Sequence, residues 1–255
     1  MTALLLHGLG GDREQALSLF APIVPPGTQV LAPDARGHGE RDETGPPASF
    51  ALDALADDIA ARVAAARDAD DRSTEPVTVI GISMGAAIAL RLALRKLLPI
   101  DRVVFARPSF TDQPLPHNLR AFPVIGELLA DRGATEGEKA FLQTALYADT
   151  HAESRLGAAG LLQQFRSPRA VERATRLIEI PRSAAFGPGD DLASIDLPLA
   201  IAWAPLDPVH PVSVAELWMD ELSGATSIPV PARDDGYSEY VAAMRGGVAA
   251  WLGWT

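Results

Sequence analysis

Gly81-Ile82-Ser83-Met84-Gly85 sets one hydroxyl between two glycines, at the joint of an apolar run, Val77–Ile80, and a second apolar stretch, Ala86–Leu98. A serine at so sharp a strand-to-helix turn must take a strained backbone, and glycines on either side let strand and helix pass closely. Its Oγ is then thrust out at the carboxyl end of the strand. The following helix aims amide groups and a positive dipole end at the same spot, where they favour a developing negative charge. The chemistry this arrangement suits is attack by Ser83 on a carbonyl carbon. Alone, the pattern also describes an ordinary strand–helix junction, and the apolar runs on both sides favour the nucleophilic reading.

The elements that position Ser83 can be read outward from it. Ala3–Leu6 is a short apolar strand running into a glycine-rich turn, His7-Gly8-Leu9-Gly10-Gly11-Asp12, and a helix over Arg13–Ala21. A second strand, Gln29–Ala32, ends at Pro33-Asp34-Ala35-Arg36-Gly37-His38-Gly39. Ser49 can cap a helix carrying Leu52, Leu55, Ile59 and Val63 at helical spacing. Strand Val77–Ile82 and the helix Ala86–Leu98 lead to a strand over Arg102–Ala106. Alternating strands and helices predict a parallel sheet covered on both faces. After Arg107-Pro108 the pattern changes, with helical segments near Leu119–Ala130, Glu136–Ala148, Glu153–Phe165 and Pro168–Ile178. Alternation resumes with strand Leu199–Ala204, helix Val212–Leu222, strand Thr226–Val230 and helix Ser238–Leu252. The expected organisation is a core domain, first part over 1–108, a helical cap or lid insertion over 109–195, and a second core part over 196–255.

Four segments together, the His7–Gly11 turn, Pro33–Gly39, Gly81–Gly85 and Asp207-Pro208-Val209-His210-Pro211, resemble the α/β-hydrolase superfamily. The similarity is closest to its capped esterase, lactonase and C–C hydrolase branch, and it covers the whole chain. It implies an α/β fold with a mostly parallel sheet of about six strands, lacking the N-terminal hairpin of the family and carrying a helical cap. It also implies Ser83 as nucleophile, the backbone amides of Leu9 and Met84 as the oxyanion hole, and Asp207 as the acid that orients a base. The family's catalytic histidine is expected after the last strand, where this chain reads Pro231-Ala232-Arg233-Asp234-Asp235-Gly236-Tyr237 and Tyr237 stands at the histidine position. A phenol with a reference pKa of about 10 is protonated near neutral pH and does not replace an imidazole base.

Of five histidines, His7 and His38 match structural family positions, while His117 and His151 fall in the insertion. His210, three residues after Asp207, is the candidate relocated base, set against a structural role at a helix start. Asp234 and Asp235 are expected as solvated turn residues. Gly8, Phe110, Phe122, Phe141 and Trp203 are the expected substrate contacts, although apolar stripes at helical spacing are usually core.

The resulting expectation is a serine hydrolase of a small or medium, partly apolar ester, thioester or lactone. The alternatives are a non-hydrolytic enzyme (cyclase, lyase or isomerase) or a catalytically silent binding protein on the same scaffold. A net charge of −11 opposes nucleic acid and anionic membrane surfaces. The chain holds no cysteine, and no metal-ligand spacing or phosphate loop appears, so no cofactor or metal is expected. No apolar run reaches membrane-spanning length and no leader precedes the first strand, so a cytoplasmic monomer or homodimer acting on a small molecule is expected.

Overall fold

The computed structural model describes residues 1–254. Six strands form one sheet: β1 (Thr2–Leu6), β2 (Gln29–Leu31), β3 (Val77–Ile82), β4 (Ile100–Ala106), β5 (Leu199–Trp203) and β6 (Thr226–Pro229). The helices are α1 (Arg13–Phe20), α2 (Leu52–Ala69), α3 (Met84–Leu94), α4 (Ala121–Phe141), α5 (Ala145–Glu153), α6 (Arg155–Arg166), α7 (Ala174–Glu179), α8 (Val212–Glu221) and α9 (Tyr237–Leu252). The strand order is β2-β1-β3-β4-β5-β6, and every pairing is parallel.

The central strands are largely apolar, β4 from Val103 onward, because the sheet is covered on both faces. Leu4, Leu6, Val77, Val79, Val103 and Phe105 pack on one side with Leu55, Ile59, Leu90 and Trp218. Ala3, Leu5, Ile80, Ile82 and Val104 pack on the other with Phe20, Tyr240, Met244 and Val248. Successive side chains of one strand thus serve opposite cores. Since β1 lies between β2 and β3, the chain leaves the ends of β1 and β3 in opposite directions. The crevice at that switch point is where an open α/β sheet receives ligands. Both the His7–Gly11 turn and Ser83 follow directly from those two strand ends.

Several helix boundaries differ from the sequence expectation. The helix after Ser83 begins at Met84 and stops at Leu94, short of Leu98, because Lys96 turns the chain with φ 50°. Ser49 lies in a 3₁₀ turn, Pro47–Phe50, and does not cap α2, whose N-cap is Ala51 without a side-chain bond. The two segments expected near Leu119–Ala130 and Glu136–Ala148 are redistributed. α4 runs on through a kink at Gly133, φ 73°, and α5 starts afresh behind Thr144, whose Oγ1 accepts from the Tyr147 amide at 3.2 Å. The last of the four, expected over Pro168–Ile178, forms a helix only from Ala174, after Arg169 takes φ 56°.

Candidate active site

Ser83 adopts φ 55° and ψ −111°, a conformation that costs a non-glycine residue of order 1–3 kcal/mol. Its amide donates to the Ala106 carbonyl at 2.9 Å, and its own carbonyl accepts from Ala86 and Ala87 as α3 begins. The turn closes because its flanks lack side chains. A Cβ on Gly81 would overlap the Gly85 carbonyl, and one on Gly85 would overlap the carbonyl of Leu6. Ser83 Oγ lies 2.9 Å from Ser109 Oγ, in the loop that follows β4. It forms no hydrogen bond to a histidine among the described residues.

Across the switch point, the glycine-rich turn is held by side chains that bond its amides individually. Gln15 Oε1 accepts from Gly8 at 2.7 Å, and His38 Nε2 accepts from Gly10 at 3.1 Å. The His38 Nδ1–H is then left to donate to the Arg36 carbonyl at 2.8 Å. His7 works alike: its Nε2 accepts from Ala35 at 3.0 Å, and its Nδ1 is 2.9 Å from the Gly8 carbonyl. Burial lowers the pKa of both rings, which keeps them neutral as these bonds require. Both imidazoles are therefore spent on shaping loops. The amides of Leu9 and Met84 have no backbone or side-chain acceptor among the described residues.

The third side of the site is a charged cluster. Asp207, after β5, is ion-paired with Arg107, which ends β4 in a left-handed turn of φ 51°. Asp207 Oδ1 also accepts from the Val209 and His210 amides at 3.2 Å and lies 3.0 Å from His210 Nδ1. That same ring nitrogen is 2.7 Å from Arg107 Nη2, and His210 Nε2 is buried without a partner among the described residues. Burial alone would raise the Asp207 carboxyl, but the Arg107 guanidinium and then His210 hold it well below the ordinary carboxylate range. Burial, followed by the Arg107 charge, pushes His210 down to about 4. Arg233, from the loop after β6, reaches to 4.0 Å of Asp207 Oδ2 with its side chain 21% exposed.

These groups enclose a cavity of about 130 Å³, lined by Gly8, Leu9, Gln15, Ile82, Ser83, Arg107, Phe122, Asp207, Val209, His210 and Arg233. Helix α6 closes it with Gly157, Gly160, Leu161 and Gln164. The structure thus brings Ser83, Asp207, His210, Gly8, Leu9 and Phe122 together. Tyr237 is not among them: it is the first residue of α9, 57% exposed, and stacks on Tyr240 at 6.0 Å. Gly236 is the extended residue at the start of that helix, and the segment after β6 lines the cavity with Arg233 and leaves Tyr237 to solvent.

Phe110, Phe141 and Trp203 also stand apart from the cavity. Phe110 is wholly buried, and its carbonyl accepts from Trp218 Nε1 at 2.8 Å. Phe141 packs on Phe165 and Tyr147. Trp203 donates to Ser227 Oγ at 2.9 Å, between β5 and β6. All three carry structural loads that apolar residues at helix and strand positions usually carry. Asp234 is an exposed turn residue, as expected, and it also accepts from Ser154 Oγ and from the Leu156 amide at 3.1 Å, tying the loop after β6 to the start of α6. Sequence reasoning missed Ser109, Arg107, Arg233 and Gln164. For Arg107 a signal existed: a charged residue ends an apolar strand at the same sheet end as Ser83 and Asp207.

Residues 3–247 match the alpha/beta hydrolase family, and the chain belongs to it. Solved structures with the same fold include a hydrolase from Pseudomonas aeruginosa PA01, 22% identical with a TM-score of 0.67, covering 99% of this chain and 89% of that one. The enol-lactonase from Burkholderia xenovorans LB400 is 20% identical with a TM-score of 0.67, covering 99% and 91%. MenH from S. aureus is 17% identical with a TM-score of 0.70, covering 99% and 94%. No curated protein matches the sequence. No helix among the described residues is long and apolar enough to cross a membrane.

Proposed function

We propose that the chain is a serine hydrolase of a small or medium, partly apolar ester, thioester or lactone. The observation that carries this reading is the strained Ser83 turn opening on a cavity that also holds an Asp207–His210 pair. In this mechanism Ser83 Oγ attacks the substrate carbonyl while its proton passes to His210 Nε2. Asp207 Oδ1 accepts from His210 Nδ1–H, which fixes the tautomer that leaves Nε2 bare. The Leu9 and Met84 amides receive the oxyanion, whose collapse expels the alcohol or thiol, protonated by His210. Water, deprotonated by His210, then releases the acid and restores Ser83. Ser109 holds the Ser83 hydroxyl in the resting site. The helices over 109–195 act as the cap, α6 supplying its contact surface, between core parts 1–108 and 196–255.

One observation favours a second reading, non-hydrolytic turnover without an acyl-enzyme. Arg107 takes the charge of Asp207 and also reaches His210 Nδ1; where that nitrogen accepts from Arg107, Nε2 carries the hydrogen and cannot receive the Ser83 proton. Intact-mass spectrometry after exposure to a fluorophosphonate separates the two readings. Hydrolase chemistry predicts one adduct, lost in Ser83→Ala and slowed by at least about a hundred-fold in His210→Ala. An unlabelled wild-type chain would overturn it. Turnover that survives Ser83→Ala would support the second.

A further inference from the structure

We propose that the substrate carries a carboxylate in addition to the bond that Ser83 attacks, and that Arg233 is the residue that selects it. This deepens the hydrolase reading and rests on the same cavity. Among the described residues lining it, Asp207 is the one carboxylate, facing two guanidinium groups, Arg107 and Arg233. Arg107 is hydrogen-bonded: its Nη2 donates to Asp207 Oδ2, although its Nε is buried without a partner among the described residues. Arg233 is not. It forms no hydrogen bond to any described residue, its Nε is buried without a partner, and its approach to Asp207 is at the 4.0 Å limit of an ion pair.

The cavity wall therefore carries one positive charge more than it neutralises, in a chain whose net charge is −11. A mostly buried guanidinium with open donors is costly unless something fills them. A planar fork of N–H groups fits a carboxylate with two parallel bonds. The two ends of the substrate are thereby assigned. Its carbonyl sits at Ser83, between the Leu9 and Met84 amides, and its carboxylate lies toward the loop after β6. A short half-ester of a dicarboxylic acid, or a lactone bearing a carboxylate, has this layout.

The test uses the full chain with Ser83→Ala, so that binding is read without hydrolysis. Calorimetry compares monomethyl succinate and monomethyl glutarate with their neutral dimethyl esters. At least one half-ester is expected to bind about ten-fold or more tightly than its diester. Adding Arg233→Gln should remove that preference, and Arg233→Lys should restore part of it. Equal binding of half-ester and diester, no binding of either, or a preference that survives Arg233→Gln would overturn the proposal. Release of nitrophenol from mono-4-nitrophenyl succinate by the wild-type chain reports separately on hydrolysis. Selective binding without release would sink the hydrolase reading and leave the carboxylate site standing.

Discussion

At the scale of single residues, the site is governed by how Arg107, Asp207 and His210 share one proton and two charges. Folded His210 titrates near about 4, and the unfolded residue near about 6.5. Between those values the unfolded chain binds the extra proton, so acid favours unfolding there, and below both values the difference stops growing. His7 and His38, also lowered by burial, act in the same direction. Urea midpoints taken from pH 7.5 down to 4.5 should therefore fall steadily, His210 accounting for on the order of 3 kcal/mol. His210→Asn should flatten that slope by about one proton. A slope unchanged in the variant would show that His210 is not held neutral. Should His210 be the base, kcat/KM should stay level above about pH 5.5 and fall only toward about 4. The sequence made Ser83, Asp207 and His210 legible because short motifs fix them. Arg233 and Ser109 were not legible, because a loop residue's direction depends on where the next helix starts.

At the scale of elements, packing is set by which glycines have neighbours. A methyl group on Gly81 or Gly85 would meet main chain that cannot move, so either glycine-to-alanine change should cost at least about 3 kcal/mol and abolish labelling of Ser83. Gly246, exposed within α9, has nothing within 4 Å of a built Cβ. Gly246→Ala should instead stabilise by about 0.5–1 kcal/mol, read as a rise in Tm. Asp234 joins the loop after β6 to α6 through Ser154 and the Leu156 amide, so Asp234→Ala should cost about 1 kcal/mol. Hydrogen exchange should quicken in both joined segments. Apolar periodicity announced the helices between β4 and β5, but not their breaks. Those breaks rest on single residues such as Arg169 taking a positive φ, which side-chain pattern does not encode.

At the scale of the whole molecule, all six strands and the parallel sheet could be read in advance: the inner strands carry apolar runs buried on both faces, and the partly exposed edge strands β2 and β6 were read from their alternation with helices. The order of the strands was not legible, because an apolar run does not say which strand it pairs with. One feature of that sheet governs how the protein behaves in company. Val230 donates to Trp203 on β5, so in the parallel ladder Ser227 and Pro229 turn their backbone the other way, to the open margin of β6. Pro229 has no N–H to offer there, and the opposite margin, β2, is only three residues long. Neither side is a template for a further strand, which guards concentrated solutions against fibrous growth from chain to chain. Restoring the missing donor with Pro229→Val should make the protein precipitate sooner on prolonged storage, as light scattering would register.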